Sequence, residues 1–114
     1  MAKNNQELWK DRLALYDQLV AQCPAFERKG KTMPYTSANG HMFSQLNKSG
    51  EIGFRFSKDD AEQFMNEYKT TVFKSYGAVM KGYVLIPESM LEDINLASVY
   101  LRKSYEYVLT LEPK

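Results

Sequence analysis

Three polar side chains are candidates for a binding surface because of their positions in two predicted strands. Arg55 alternates with the large apolar residues of EIGFRF, and Lys81 and Tyr83 lie in MKGYVLI. Successive side chains of a strand point to opposite faces of a sheet. We therefore expect Arg55, Lys81 and Tyr83 on the face opposite the apolar one, where they could bind a partner or a small anionic ligand. The alternative is a solvated sheet face without a ligand.

A second set of candidates is a short basic run followed by an aromatic residue. Arg28, Lys29 and Lys31 precede Tyr35, and such residues can contact phosphate and stack on a base. The formal net charge of the chain is only +1, so no long-range attraction to nucleic acid is expected. A solvated edge of the sheet is the alternative for Lys31 and Tyr35.

Residue types that usually carry catalysis or bind metal ions are scarce in this sequence. His41 is the one histidine and has no cysteine near it, so we predict no metal site. Cys23, the one cysteine, falls near the end of a predicted helix, where the helix dipole disfavours a thiolate. No phosphate-loop, dinucleotide-binding or nucleophile-elbow motif occurs. We therefore predict no catalytic residue and no cofactor, and an enzyme is the least supported class of function.

Composition predicts a single folded domain over residues 1–114. The hydrophobic fraction of 44% is ordinary for a globular protein, and a chain of this length can bury one modest core. One cysteine allows no internal disulfide, which fits a reducing, cytoplasmic setting. No apolar run is long enough to span a bilayer, and the first residues do not form a signal peptide, so we expect no membrane association.

The central predicted element is a hairpin over residues 40–56 that turns at residues 47–50. Ile52, Phe54 and Phe56 recur at period two, which predicts one apolar face with Phe54 buried at its middle. In the preceding strand, parity places Met42, Ser44 and Leu46 on one face and Phe43 on the opposite one. A hairpin alone is marginal in water, so its apolar face must be covered by other elements.

Helical and strand patterns in the rest of the chain predict those covering elements. Three-and-four spacing predicts helices over residues 4–23, 58–68 and 96–111, with N-caps at Asn4 or Asn5, at Ser57 and at Asn95. Strands are predicted at residues 32–35, 70–74 and 80–86, turns at residues 37–40 and 75–77, and one helical turn at residues 88–93.

Four short motifs occur in order along the chain. They are Lys31-Thr32-Met33 with Tyr35, Gly40-x-Met42-Phe43, Gly50-Glu51-Ile52-Gly53-Phe54-Arg55, and Met80-Lys81-Gly82-Tyr83-Val84-x-x-Pro87. Together they resemble the TfoX N-terminal domain family, from about Lys31 to the end, and the last residues look like those of small stand-alone members. The resemblance implies a two-layer α+β fold, α-β(3)-α-β(2)-α, with an antiparallel sheet and helices on one face. The order of elements predicted from the residues agrees with it.

The resemblance also implies a class of function. Named members of that family regulate competence for DNA uptake and carry a second, helical domain, which this chain is expected to lack. No catalytic residue can be carried over from the family. The first strand of usual members opens with a Met-Phe-Gly-Gly-like motif, where this chain has Met33-Pro34-Tyr35. The resemblance implies a non-enzymatic binding or regulatory module, and the alternative is a small nucleic-acid-binding protein linked to DNA uptake or transcription regulation.

Self-association is a further expectation from the sequence. Eight tyrosines are many for this length, and the near-neutral charge gives little repulsion between copies. We predict a homodimer formed through the open sheet face or the last helix, and the alternative is a monomer with a polar, solvated sheet face. The sequence does not identify a protein partner.

Overall fold

The computed structural model describes residues 5–114, in which four helices and five strands follow one another. In chain order they are α1 (Asn5–Ala21), β1 (Tyr35–Ala38), β2 (His41–Leu46), β3 (Ile52–Arg55), α2 (Lys58–Tyr68), β4 (Val72–Ser75), β5 (Ala78–Leu85), α3 (Glu88–Leu91) and α4 (Ile94–Leu109). The strands form one antiparallel sheet in the order β1-β2-β3-β5-β4. This confirms the predicted α+β class and the predicted order of elements.

The main core lies between the sheet and the helices. Phe54 of β3 has no exposed surface, as the period-two pattern predicted, and its neighbour Val84 on β5 is also fully buried. Tyr16 from α1, Phe64 from α2 and Leu101 from α4 belong to the same apolar cluster. Each helix therefore contributes a stripe of side chains to one face of the sheet, and removal of this apolar surface from water drives the packing.

Local sequence signals position several of the connections. Asn39 and Gly40 form a two-residue hairpin turn with φ angles of 56° and 79°, a conformation that Asn-Gly adopts at low cost. Ser57 caps α2, because its hydroxyl oxygen accepts a hydrogen bond of 3.2 Å from the Asp60 amide. Both features were predicted from the sequence.

Other predicted boundaries are wrong. The first strand begins at Tyr35 rather than residue 32. The last helix is capped by Asp93 rather than Asn95, since the Asp93 carboxylate accepts a 3.2 Å hydrogen bond from the Leu96 amide. The first helix ends at Ala21, two residues earlier than predicted, and its predicted start at residue 4 lies outside the described residues.

A register shift in the first hairpin corrects the predicted orientation of Phe43. The pairing of β1 with β2 shifts between Thr36 and Ser37, which leaves one extra residue in β2. The Phe43 ring is fully buried with its centroid 4.9 Å from that of Phe26, and the adjacent Ser44 hydrogen-bonds to a tyrosine of α1. Both side chains therefore face the helices, and Phe43 belongs to the main core.

On the opposite face of the sheet, the Phe73 side chain of β4 packs over β3. The register of β4 with β5 shifts between Val72 and Lys74, and β5 contains Gly82 with a φ angle of 85°. Phe73 of β4 is fully buried, and a Cβ atom on Gly53 would lie only 2.3 Å from its ring. Gly53 therefore leaves the space that the Phe73 ring occupies.

Candidate ligand-binding groove

A groove of about 690 Å³ runs between α2 and the bent part of β5, and we call it the α2–β5 groove. Its wall on α2 is one helical face, because residues 58, 61, 62 and 65 follow three-and-four spacing. It is lined by Arg55, Phe56, Lys58, Ala61, Glu62, Met65, Val72, Lys81, Gly82, Tyr83 and Tyr107. Three of the predicted site residues, Arg55, Lys81 and Tyr83, are thus brought together.

The sheet register explains why three residues with cationic side chains line the α2–β5 groove. Arg55 is the last residue of β3 and pairs with Tyr83 of β5. The Phe56 amide donates a 3.0 Å hydrogen bond to the Gly82 carbonyl, so the backbone after β3 continues beside β5 beyond the Arg55–Tyr83 pair. Lys81 therefore lies next to the start of α2, where Lys58 is the first helical residue.

These cations form no close ion pair within residues 5–114, although Asp59 and Asp60 follow Lys58 directly in the first turn of α2. In the described part of the chain, none of Arg55, Lys58 and Lys81 forms an ion pair, and Glu62 is the one carboxylate among the lining residues. The Arg55 guanidinium carbon lies 5.8 Å from the centre of the Tyr107 ring, within the range of a cation–π contact. Arg55 is half-buried, whereas Lys58 and Lys81 are exposed.

Tyr83 lines the groove but has a structural role that the sequence did not predict. It was expected on an open sheet face, yet only 6% of it is exposed. Its hydroxyl donates a 2.7 Å hydrogen bond to the Met42 carbonyl, and its ring lies 6.2 Å from that of Phe73. Burial raises the pKa of the Tyr83 hydroxyl, with a smaller opposing effect of Arg55. Tyr83 therefore supports the wall of the groove from inside the fold.

Lys31 and Tyr35 lie apart from this groove, Tyr35 as the first residue of the edge strand β1 and Lys31 in the loop before it. Tyr35 pairs with Lys29 through two backbone hydrogen bonds of 2.7 and 2.8 Å, and Lys31 is exposed. Arg28, part of the same basic run, donates to Asp17 at 2.8 Å and to the Gly30 carbonyl at 2.6 Å. One of the three basic residues is therefore already used in packing this loop against α1.

The lone histidine and the lone cysteine both contact backbone carbonyls. The His41 imidazole forms a 2.8 Å hydrogen bond with the Glu112 carbonyl. Cys23 is buried, and burial raises the pKa of its thiol. Among residues 5–114, no group of three His, Cys, Asp or Glu side chains is close enough to hold a metal ion.

A second depression, of about 830 Å³, lies between α1, the β2–β3 turn and α3. Its arginine is already paired, because Arg12 donates to the Glu88 carboxylate at 2.7 Å. Its other ionisable lining residues are Asp11, Glu51 and Glu92. The larger depression is therefore lined mainly by carboxylates, and its one arginine is paired with Glu88. The α2–β5 groove is instead lined by three cations and one carboxylate.

Sequence reasoning missed Lys58, Met65 and Tyr107 as groove residues. The spacing of Lys58 and Met65 on α2 was visible, but the pattern could not show which helix face borders the sheet. Tyr107 reaches the groove from α4, about fifty residues further along the chain, and no local signal connects it with Arg55.

Comparison of the chain with family models, with curated proteins and with solved structures finds no match. The resemblance to the TfoX N-terminal domain family therefore stays a prediction. In the described residues, no helix has both the length and the apolar character needed to cross a membrane.

Proposed function

We propose that this chain is a non-enzymatic binding or regulatory module that holds an anionic ligand in the α2–β5 groove. The observation that carries the proposal is the convergence of Arg55, Lys58 and Lys81 on one groove without a carboxylate partner for any of them. They come from β3, α2 and β5, so the charge cluster is a product of the fold and not of a basic run in the sequence.

The electrostatics of the groove favour an anion over a cation or a neutral ligand. Like charges held close together repel one another, and a bound anion removes this repulsion while gaining attraction from each cation. The planar guanidinium of Arg55 can donate two parallel hydrogen bonds to a carboxylate or a phosphate.

The nucleic-acid alternative has less support from the contacts. Arg28, the first residue of the basic run, is bound to Asp17 and to the Gly30 carbonyl. Only Lys29 and Lys31 of that run stay exposed, beside a half-buried Tyr35. Two exposed lysines give a weak electrostatic attraction to a phosphate backbone. We therefore propose the small-anion function first.

The proposal is tested by titrating the isotope-labelled protein with monoethyl phosphate and following its amide resonances. We expect saturable shifts at residues 55, 58, 81 and 82, because these line the cationic end of the groove. Lys81→Ala and Lys58→Ala should each weaken binding about threefold to tenfold, since each removes one charge–charge contact. Lys74→Ala is the matched control, because Lys74 is an exposed lysine on β4 outside the groove.

Two outcomes would count against the proposal. The first is an absence of saturable shifts at millimolar ligand. The second is a set of shifts that Lys74→Ala reduces as much as Lys81→Ala does. Shifts confined to Lys29 and Lys31 would instead support the nucleic-acid alternative.

Self-association stays a separate proposal, and we place it on α4 rather than on the sheet face around Tyr83. Tyr83, which was expected to be accessible on that face, is buried. On α4, Val99 and Leu109 are 55% and 48% exposed. We propose that any homodimer uses α4, so Val99→Glu should abolish it. Light scattering tests this, and a mass that stays at the 13.2 kDa of one chain at high micromolar concentration would exclude the dimer.

A further inference from the structure

The α2–β5 groove has a cationic end and an apolar end, and this polarity limits the ligands that fit it. The cationic end lies where β3 runs into α2, with Arg55, Lys58 and Lys81 around it. The apolar end is formed by Met65 and Val72, both of which are half-buried.

The separation of the two ends follows from helix geometry and sheet register. Met65 lies seven residues after Lys58 on the same helix face, which is about 10 Å along the axis. Arg55 pairs with Tyr83 of β5, and Val72 pairs with the next residue of that strand, Val84. Lys81 precedes Tyr83 in β5, so Val72 and Lys81 lie on opposite sides of the Arg55–Tyr83 pair along the strand. The Thr70 amide donates to the Met65 carbonyl at 3.1 Å, which holds the start of β4 beside the end of α2.

Between the two ends, the groove floor is apolar and one carboxylate borders it. Phe56 and Ala61 are 3% and 7% exposed and contribute apolar surface. Glu62 is exposed and lies one helical turn after Lys58. Its negative charge disfavours an anion at the middle of the groove, so an anionic group is directed to the Lys58 end.

We propose that the ligand of this groove is a small amphipathic anion, with a carboxylate or phosphate head at Arg55, Lys58 and Lys81 and an apolar body against Met65 and Val72. This inference rests on the proposed anion-binding function and specifies the chemical class of the ligand. A purely ionic ligand would leave the apolar end in water, and a neutral apolar ligand would leave three cations without a partner. Burial of the apolar body adds affinity in proportion to the area removed from water.

The test compares monoethyl, monohexyl and monooctyl phosphate by calorimetry, each below the concentration at which it forms micelles. We expect monooctyl phosphate to bind at least about thirtyfold more tightly than monoethyl phosphate, because each buried methylene strengthens binding about threefold to fourfold when fully enclosed. The affinity of octanoate, compared with that of octyl phosphate, shows whether the groove prefers a carboxylate or a phosphate head. If octanoate binds more tightly than acetate, the apolar body contributes to affinity, and this result supports the proposal as well. Octyl glucoside, which has the same chain without a charge, should bind much more weakly than the octyl anions.

Variants assign the two ends separately. Met65→Ser and Val72→Thr should weaken the octyl phosphate complex about fivefold and leave the ethyl phosphate complex unchanged, since the short ligand does not reach them. Lys81→Ala should weaken both complexes by the same factor. Val79→Thr is the matched control for Val72→Thr, because Val79 is an exposed valine on β5 that does not line the groove. Thermal melting confirms that each variant is folded before its affinity is compared.

Each contrary result has a distinct meaning. Equal affinities for ethyl and octyl phosphate would overturn the amphipathic class while leaving the anion-binding function in place. Equal binding of octyl glucoside and octyl phosphate would overturn the role of the charged head. No binding of any phosphate or carboxylate would overturn the proposed function itself. Binding only to vesicles that contain an anionic lipid, and not to the free octyl anions, would also overturn this inference.

Discussion

The turn before β3 and the groove after it use polar side chains in opposite ways. In the turn, the Asn47 side chain donates to Glu51 and to the Lys74 carbonyl at 3.0 and 2.8 Å, and it accepts from the Ser49 and Glu51 amides at 3.0 and 2.9 Å. The Asn47 carbonyl also accepts a 3.1 Å hydrogen bond from the Trp9 indole. One buried asparagine therefore joins α1, the β2–β3 turn and the β4–β5 hairpin.

The groove at the other end of β3 has no such hydrogen-bond network in the described part of the chain, and the one contact of its charged groups there is that of the Arg55 guanidinium with the Tyr107 ring. Arg55, Lys58 and Lys81 form no ion pair within the described residues, and two of the three are exposed. A polar group whose partners all lie in the fold stabilises the fold, because its removal leaves those partners unsatisfied. A charge without an internal partner contributes little to stability and is available to a ligand. The two ends of β3 thus separate a structural role from a binding role.

The largest expected effect is at the structural end. Asn47→Ala should lower the free energy of unfolding by about 3 kcal/mol, because it leaves two amides and the Lys74 carbonyl without their partners. Urea denaturation measures the loss. Asn66→Ala is the control, since Asn66 is an exposed asparagine on α2, and it should leave stability unchanged. A loss below about 1 kcal/mol for Asn47→Ala would show that water can replace the network.

The next effect concerns the packing over the middle of β3. Gly53→Ala should cost about 2 kcal/mol, because its Cβ would lie 2.3 Å from the Phe73 ring and force that ring to move. The double variant with Phe73→Leu should lose less than the sum of the two single losses, since the smaller side chain relieves the clash. Strict additivity of the two substitutions in chemical denaturation would contradict this packing.

Alkaline pH should weaken the fold through its buried tyrosines. Burial raises the pKa of Tyr16 and of Tyr83 above their ordinary value of 10.0, so the folded state holds these protons while the unfolded state releases them. The stabilisation is fully present below pH 10 and is lost as pH rises further, at up to about 1.4 kcal/mol per pH unit for each tyrosine. Denaturation midpoints at pH 9, 10 and 11 measure this slope. Tyr83→Phe should make it shallower, and an unchanged slope would contradict the assignment.

The smallest expected effect is at the groove. Lys58→Ala and Lys81→Ala should each change stability by less than about 0.5 kcal/mol, since both side chains are exposed and neither forms an ion pair among the described residues. At low ionic strength the lysine variants should even be slightly more stable, because the substitution relieves repulsion between the cations. Thermal melts at two salt concentrations test both statements. A loss above about 1.5 kcal/mol for either lysine would place it among the structural residues.

The predicted and observed positions of the groove residues show how far local patterns reach. Period-two alternation correctly predicted that Phe54 is buried. This prediction needs only the geometry of one strand and the expectation that helices cover one face of the sheet. The same alternation placed Tyr83 on an open face, which is wrong because Phe73 of the neighbouring hairpin packs beside it. Parity also misplaced Phe43, since the register shift in β2 adds one residue that alternation alone does not reveal.

The amino-acid sequence by itself determined the α+β class, the order of elements, the Asn39-Gly40 turn and the Ser57 cap. These depend on interactions between residues close together in the chain, such as a positive φ angle or a hydroxyl three residues from an amide. Only the tertiary structure decided that Lys58 and Tyr107 join Arg55 in one groove. That juxtaposition depends on the packing of α2 and α4 against the sheet and on the bend of β5 at Gly82. It arises from contacts between segments that are distant in sequence, which local spacing does not encode.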